Sequence, residues 1–235
     1  MFISSEIYSK IIAERNIQGS VLRLAEEIKS DQLFEILKKR IVHLEYSPGE
    51  VLNEADIASE FGLSRTPVRK AFEQLKNTNL MNIIPRYGAQ VAPIDFKYMK
   101  SVFEVDRELE GFAARLATDR ITDEQIRNLE DTIERINNYD IEKDYKQIIM
   151  EDEKFHETVF ESCENPCLVE ILYNLHMHTE RLWFYVQKDI TDIHLFLDTM
   201  PEIVQALKEK DADKAEQEAK RHIDVFVEKI RQELL

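Results

Sequence analysis

Apolar positions repeat every three or four residues along most of this chain, the period of helices with one buried face. Only Met81–Ile84 and Ala89–Ala92 read as strands, joined by a turn over Pro85–Gly88. At the front, Ile3, Ile7, Tyr8, Ile11 and Ile12 form one stripe that Gly19-Ser20 would end. Residues 1–20 are therefore expected to be an additional helix, packed on its own domain or on a partner subunit. Val21–Leu44 reads as a second helix, broken near Ser30-Asp31. Its amphipathic stripe includes Leu33, Ile36, Leu37, Ile41 and Leu44. Tyr46-Ser47-Pro48-Gly49 is a turn.

From Asn53 to Val91 the punctuation is denser. Asn53 is placed to cap a helix carrying Ala55, Ile57, Ala58 and Phe61, and Gly62 stops it. Ser64 is expected to cap the next helix, and Pro67 is tolerated in its first turn. Val68, Ala71, Phe72 and Leu75 face a core, while Arg65, Arg69 and Lys70 fall largely on other faces at the front end. Asn79 suits the left-handed residue that ends this helix. The two strands follow as a hairpin. The stretch is a helix-turn-helix with a wing, a unit whose second helix enters the major groove.

Pro93-Ile94-Asp95 marks a boundary. Beyond it the period stays helical, over about 95–119, 122–138, 143–163, 166–188, 191–209 and 212–234. Thr122 with Gln125 makes a capping box, Asn165-Pro166 opens another helix, and Asp211 caps the last. Short loops imply antiparallel neighbours. The fold expected is mainly α: an N-terminal winged helix-turn-helix domain over 21–93, behind the extension 1–20, then an all-α antiparallel helical bundle over 94–235.

The net charge of −15 looks wrong for a DNA binder until it is divided. Residues 1–91 carry 12 Lys and Arg against 12 Asp and Glu, so the whole acidic excess lies beyond them. Within 61–91 there are five basic residues and one acidic. Screening limits the reach of charge to about 8–10 Å, so the local patch matters. Cys163 and Cys167 give neither a disulfide framework nor a metal cluster. No apolar run approaches the roughly 20 residues that span a bilayer, and no signal peptide is evident, so a cytoplasmic protein is expected.

PGEVL (48–52), FGLSRTPVRKAF (61–72), NLM (79–81) and RYGAQV (86–91) together resemble the winged-helix domain of the GntR family of bacterial transcription regulators. The resemblance implies operator binding by Ser64, Arg65, Thr66, Arg69 and Lys70, with Arg86 and Gly88 at the wing. Gly88, lacking a side chain, would let the backbone approach DNA. Many relatives carry an arginine where this chain has Ala55, which puts the operator sequence in question more than binding itself.

LEGFAARLA (109–117), DEKFH (152–156) and IVQALKEKDADKAEQEAKRHI (203–223) resemble the all-helical effector domain, of FCD type, in the FadR branch of that family. Asp152 and His156 share a helix face at i and i+4 and suit a divalent ion such as Zn or Ni. The resemblance adds His222 as a third ligand and implies a small carboxylate effector. The position of a further family histidine is Met200, a poor ligand. Either three ligands survive, completed by water or effector, or the metal is gone and they wall a polar pocket. Family members carry an arginine where this chain has Asp106. Either another arginine clamps an anion, with Arg181 a candidate, or the effector is not a simple carboxylate. Asp106, Arg181 and Met200 are thus expected at the effector pocket. His176 and His178 are expected to be packing or rim residues.

The function expected is a homodimeric, sequence-specific DNA-binding transcriptional regulator under effector control. A regulator with a degenerate, effector-independent domain is the alternative. A helical di-iron enzyme would need two Glu-x-x-His pairs, and Glu153–His156 is the only one in the chain.

Overall fold

The structure, a computed structural model, describes residues 29–84, 88–186 and 192–234. They divide into two compact units, one ending at Pro93 and one beginning at Ile94. The helix expected over 1–20 lies outside the described residues.

In the first unit, helix α1 is described over 29–42, and the part of the expected helix before Lys29 lies outside the described residues. Leu33, Leu37, Ile41 and Val42 are buried; Ile36, placed on the same stripe, is 42% exposed. Leu44 ends the helix by turning left-handed, φ 57°. Strand β1 (Val51–Leu52), helices α2 (Glu54–Phe61) and α3 (Arg65–Asn77), and strands β2 (Met81–Ile84) and β3 (Gly88–Val91) follow. The Asn53 side chain accepts from Ala55 N at 2.7 Å, and Gly62 closes α2 at φ 62°. Ser64 sits at the N-cap of α3, but its side chain makes no cap hydrogen bond, contrary to expectation. Pro67, Val68, Ala71, Phe72 and Leu75 are buried, and Asn79 takes φ 59°.

The predicted hairpin is part of a three-stranded antiparallel sheet of order β1-β3-β2. A two-residue strand has no period to betray it, so β1 was invisible to patterning. Gly88 explains itself here. It pairs with Ile84 across β2, at φ 118°, and a Cβ on it would sit 2.6 Å from the Leu52 carbonyl oxygen of β1. The fold requires this glycine whatever the wing touches.

The second unit contains α4 (Phe96–Ala117), α5 (Asp123–Asn137), α6 (Tyr145–Ser162), α7 (Pro166–Val186), α8 (His194–Leu197), α9 (Met200–Glu209) and α10 (Ala212–Leu234). Helix α4 packs on α10, α7 and α6, and α10 also on α9. Thr122 and Gln125 form the reciprocal box, Asn165 accepts from Leu168 N at 3.3 Å, and Asp211 from Lys214 N at 3.0 Å. The single helix expected over 191–209 is two, α8 and α9. Pro201 has no N–H, and in a continuous helix its ring would meet the carbonyl one turn earlier, so the chain leaves helical geometry at Thr199 (φ −123°). Ala113, Phe160, Cys163, Leu168 and Leu172 form one core cluster. Gly111 lies where Lys220 of α10 crosses α4; a Cβ there would meet the Lys220 side chain at 2.6 Å.

Replacing Gly88 by alanine should destabilise the first unit by about 1–3 kcal/mol, from the positive φ and the Leu52 contact together. Thermal melts of the full-length chain followed by circular dichroism measure this; an unshifted transition would show that β1 yields without cost.

Candidate nucleic-acid interface and buried polar centre

The front of α3 faces outward. Ser64, Arg65, Thr66, Arg69 and Lys70 are exposed, with no acidic residue in the helix's first turn. The unpaired N–H groups there add a partial positive charge to that of Arg65. Arg69 is held in place: its Nε and Nη2 donate to the two carboxylate oxygens of Glu54, at 3.1 and 2.9 Å. The Arg69 hydrogen bond holds the Glu54 carboxyl below the usual range. Glu54 opens α2, and sequence reading missed it because the pair lies across the helix-turn-helix. Gly88 sits at the base of the wing, while Arg86 lies outside the described residues. Arg40 is a structural residue: it donates to Glu60 at 2.5 Å and to the Tyr46 hydroxyl at 2.8 Å, over the Phe61 ring.

The second unit encloses a polar centre. Asp106 and Glu110 come from one face of α4, Asp152 and His156 from one face of α6, His176 from α7 and His222 from α10. All six are buried. His156 Nε2 and His222 Nε2 lie 3.8 and 3.9 Å from Asp152 Oδ1. That oxygen is buried with no hydrogen-bond partner. His156 Nδ1 lies 2.9 Å from Glu110 Oε2, and His222 Nδ1 lies 2.5 Å from the Thr199 hydroxyl. When each Nδ1 donates, both Nε2 lone pairs turn toward Asp152, the arrangement by which outer partners orient metal-bound histidines. A divalent ion bound at about 2.0–2.2 Å sets its donors about 3–3.5 Å apart, so each imidazole nitrogen stands within a few tenths of an ångström of the spacing from Asp152 that an ion would impose. One carboxylate and two imidazoles suit Zn or Ni.

His176, expected as a packing or rim residue, is instead part of this centre. Its Nε2 lies 2.7 Å from Glu110 Oε1 and 3.7 Å from Asp106 Oδ2, and its Nδ1 lies 3.2 Å from Glu153 Oε2. The i, i+2 spacing with His178 is the reason: the two point apart, and His178 packs edge-on against Tyr98. Met200 and Arg181 are buried. From the Met200 turn, the residue brought to His222 is Thr199, which no sequence pattern signalled.

Burial pushes the Asp152 carboxyl up to about 7. Burial opposes charge on His156, but the Glu110 carboxylate overcomes it and raises the imidazolium to about 9. Burial drives His222 down to about 3, aided by His156. Burial and the Glu110 charge hold Asp106 well above the carboxylate range.

The family described as "Bacterial regulatory proteins, gntR family" matches residues 29–91, and the FCD domain matches 101–225. The chain is 26% identical over 203 residues to the HTH-type transcriptional repressor RspR of Escherichia coli K12, covering 86% of this chain and 89% of that one. It is 28% identical over 217 residues to the galactonate operon transcriptional repressor of the same organism, covering 81% and 92%. The solved structure of E. coli McbR/YncC shares its fold, with a TM-score of 0.75 at 21% identity over 87% of this chain and 97% of that one. Among the described residues no helix is long and apolar enough to cross a membrane. A winged helix-turn-helix whose second helix turns basic residues outward, followed by an FCD bundle, places this chain in the GntR family, FadR type, as a DNA-binding transcriptional regulator.

Proposed function

We propose that the first turn of α3 and the wing read the operator, and that a divalent ion on Asp152, His156 and His222 links the helical unit to a small-molecule effector. The observation supporting the first half is the exposed front of α3, where Arg65 is free to reach a base edge and Arg69 is aimed by Glu54. Ser64, Thr66 and Lys70 would position the helix on phosphates, with Gly88 and Arg86 holding the adjacent backbone. A homodimer would present two such helices to a near-palindromic site.

The observation supporting the second half is Asp152 Oδ1, an unpartnered buried acceptor faced by two imidazole nitrogens. When bound, the ion supplies a fixed positive charge and open positions for an effector oxygen. Glu110 and Thr199 orient the two rings by their Nδ1 atoms. Asp106, held neutral by burial, offers an effector carboxylate no positive partner at its end of the centre. Arg181, lowered to about 10 by burial, keeps its charge at neutral pH and is the proposed anion partner.

Arg65→Ala should weaken binding to the cognate operator by about 1–3 kcal/mol while leaving thermal stability unchanged. Mapping bound genomic fragments and then measuring affinity at fixed salt tests it; equal affinities for the folded variant and wild type would remove Arg65 from the interface.

Metal uptake should strengthen with pH. The ion must displace protons from Asp152, at about 7, and His156, at about 9, whereas His222, at about 3, is already neutral. At fixed Ni²⁺, the rise in Tm should therefore grow from about pH 6 through 9 and level off above about 10. It should disappear in His222→Gln. A rise that shrinks with pH, or survives that substitution, excludes this ligand set.

A further inference from the structure

We infer that the bundle holds a second divalent cation, seated on Asp106 and Glu110 of α4 and His176 of α7. It uses different donor atoms from the Asp152–His156–His222 seat and stands or falls separately.

Asp106 is the starting point. It is 0% exposed, and neither of its oxygens has a hydrogen-bond partner. A buried carboxylate without a donor is a costly arrangement that calls for a cation. Two carboxylate oxygens converge on one ring nitrogen. Glu110 Oε1 is 2.7 Å and Asp106 Oδ2 3.7 Å from His176 Nε2, and the two carboxylates stand one turn apart on the same face of α4. On the far side of the ring, Glu153 Oε2 lies 3.2 Å from Nδ1. A proton on Nδ1 donated to Glu153 leaves the Nε2 lone pair pointing at the two carboxylates.

Three lone-pair donors facing one another need a positive centre between them. A single proton on Nε2 serves Glu110, and without a cation Asp106 is held protonated and uncharged by burial and by Glu110. A dication satisfies all three. Both carboxylates already lie within 3.7 Å of the one ring nitrogen, near the spacing that donors take around a single ion. Glu110 keeps its other oxygen for His156 Nδ1, at 2.9 Å, so the seats need not share a ligand atom. Two carboxylates and one imidazole form a harder donor set than the one-carboxylate, two-imidazole seat, and favour Mn²⁺ or Fe²⁺ over Ni²⁺ or Zn²⁺.

The test is a Mn²⁺ titration of the chelator-stripped full-length protein, reading the free ion by electron paramagnetic resonance. Wild type should bind a Mn²⁺ whose affinity falls at least about tenfold in Asp106→Asn and in His176→Gln but not in His222→Gln. Nitrogen couplings on the bound ion in wild type should come from one imidazole, a readout that does not depend on any variant folding. No bound Mn²⁺, or uptake unchanged in both Asp106→Asn and His176→Gln, overturns the inference. So do couplings from two imidazoles with loss in His222→Gln, which would leave the other seat intact.

Discussion

One carboxylate organises the centre of the helical unit. Glu110 presents one oxygen to His156 and the other to His176, so three helices meet at a single side chain. Burial alone would raise that carboxyl, but the two histidines hold it well below its ordinary range. A charge inside a protein is tolerable only when paired and hydrogen-bonded, and breaking such a pair costs more than the pair contributes. The pairing therefore constrains everything around it. It fixes the His156 ring, which in turn decides where Nε2 faces Asp152. Gly111, next to Glu110 in sequence, leaves room for α10 to pass close enough to bring in His222.

The DNA-binding unit obeys a different constraint. Its proposed recognition surface is an outer face of α3, whose placement is set by what lies behind it. Val68, Ala71, Phe72 and Leu75 anchor the inner face, and the sheet pins the wing through a glycine that admits no side chain. The acidic bulk of the chain falls elsewhere in sequence, but one acid is placed at the reading edge. Glu54 holds Arg69 by both oxygens, exchanging a freely moving cation for one of defined direction.

What the sequence revealed depended on range. Capping pairs such as Thr122–Gln125 and the ends at Gly62 and Asn79 are local chemistry, and they were readable. Asp152 and His156 were readable for the same reason, being one helical turn apart. The Glu54–Arg69 clamp and the His176–Glu110 contact join residues that only the fold makes neighbours, and His176 was misread on spacing that described its own helix alone. Strand β1 was too short to carry a period. The division of 191–209 had a signal, Pro201, outweighed by the apolar rhythm around it.

The chain's single tryptophan lies on the path between these features. Trp183 of α7 stacks on Phe226 of α10 with ring centroids 3.5 Å apart, one helical turn beyond His222. Its indole also lies against Phe196 of α8, at 4.9 Å. Any occupant that shifts α10 by a fraction of an ångström alters the packing around that ring, so the protein carries its own optical gauge: intrinsic emission, with no dye attached, reads the position of the helix that bears His222.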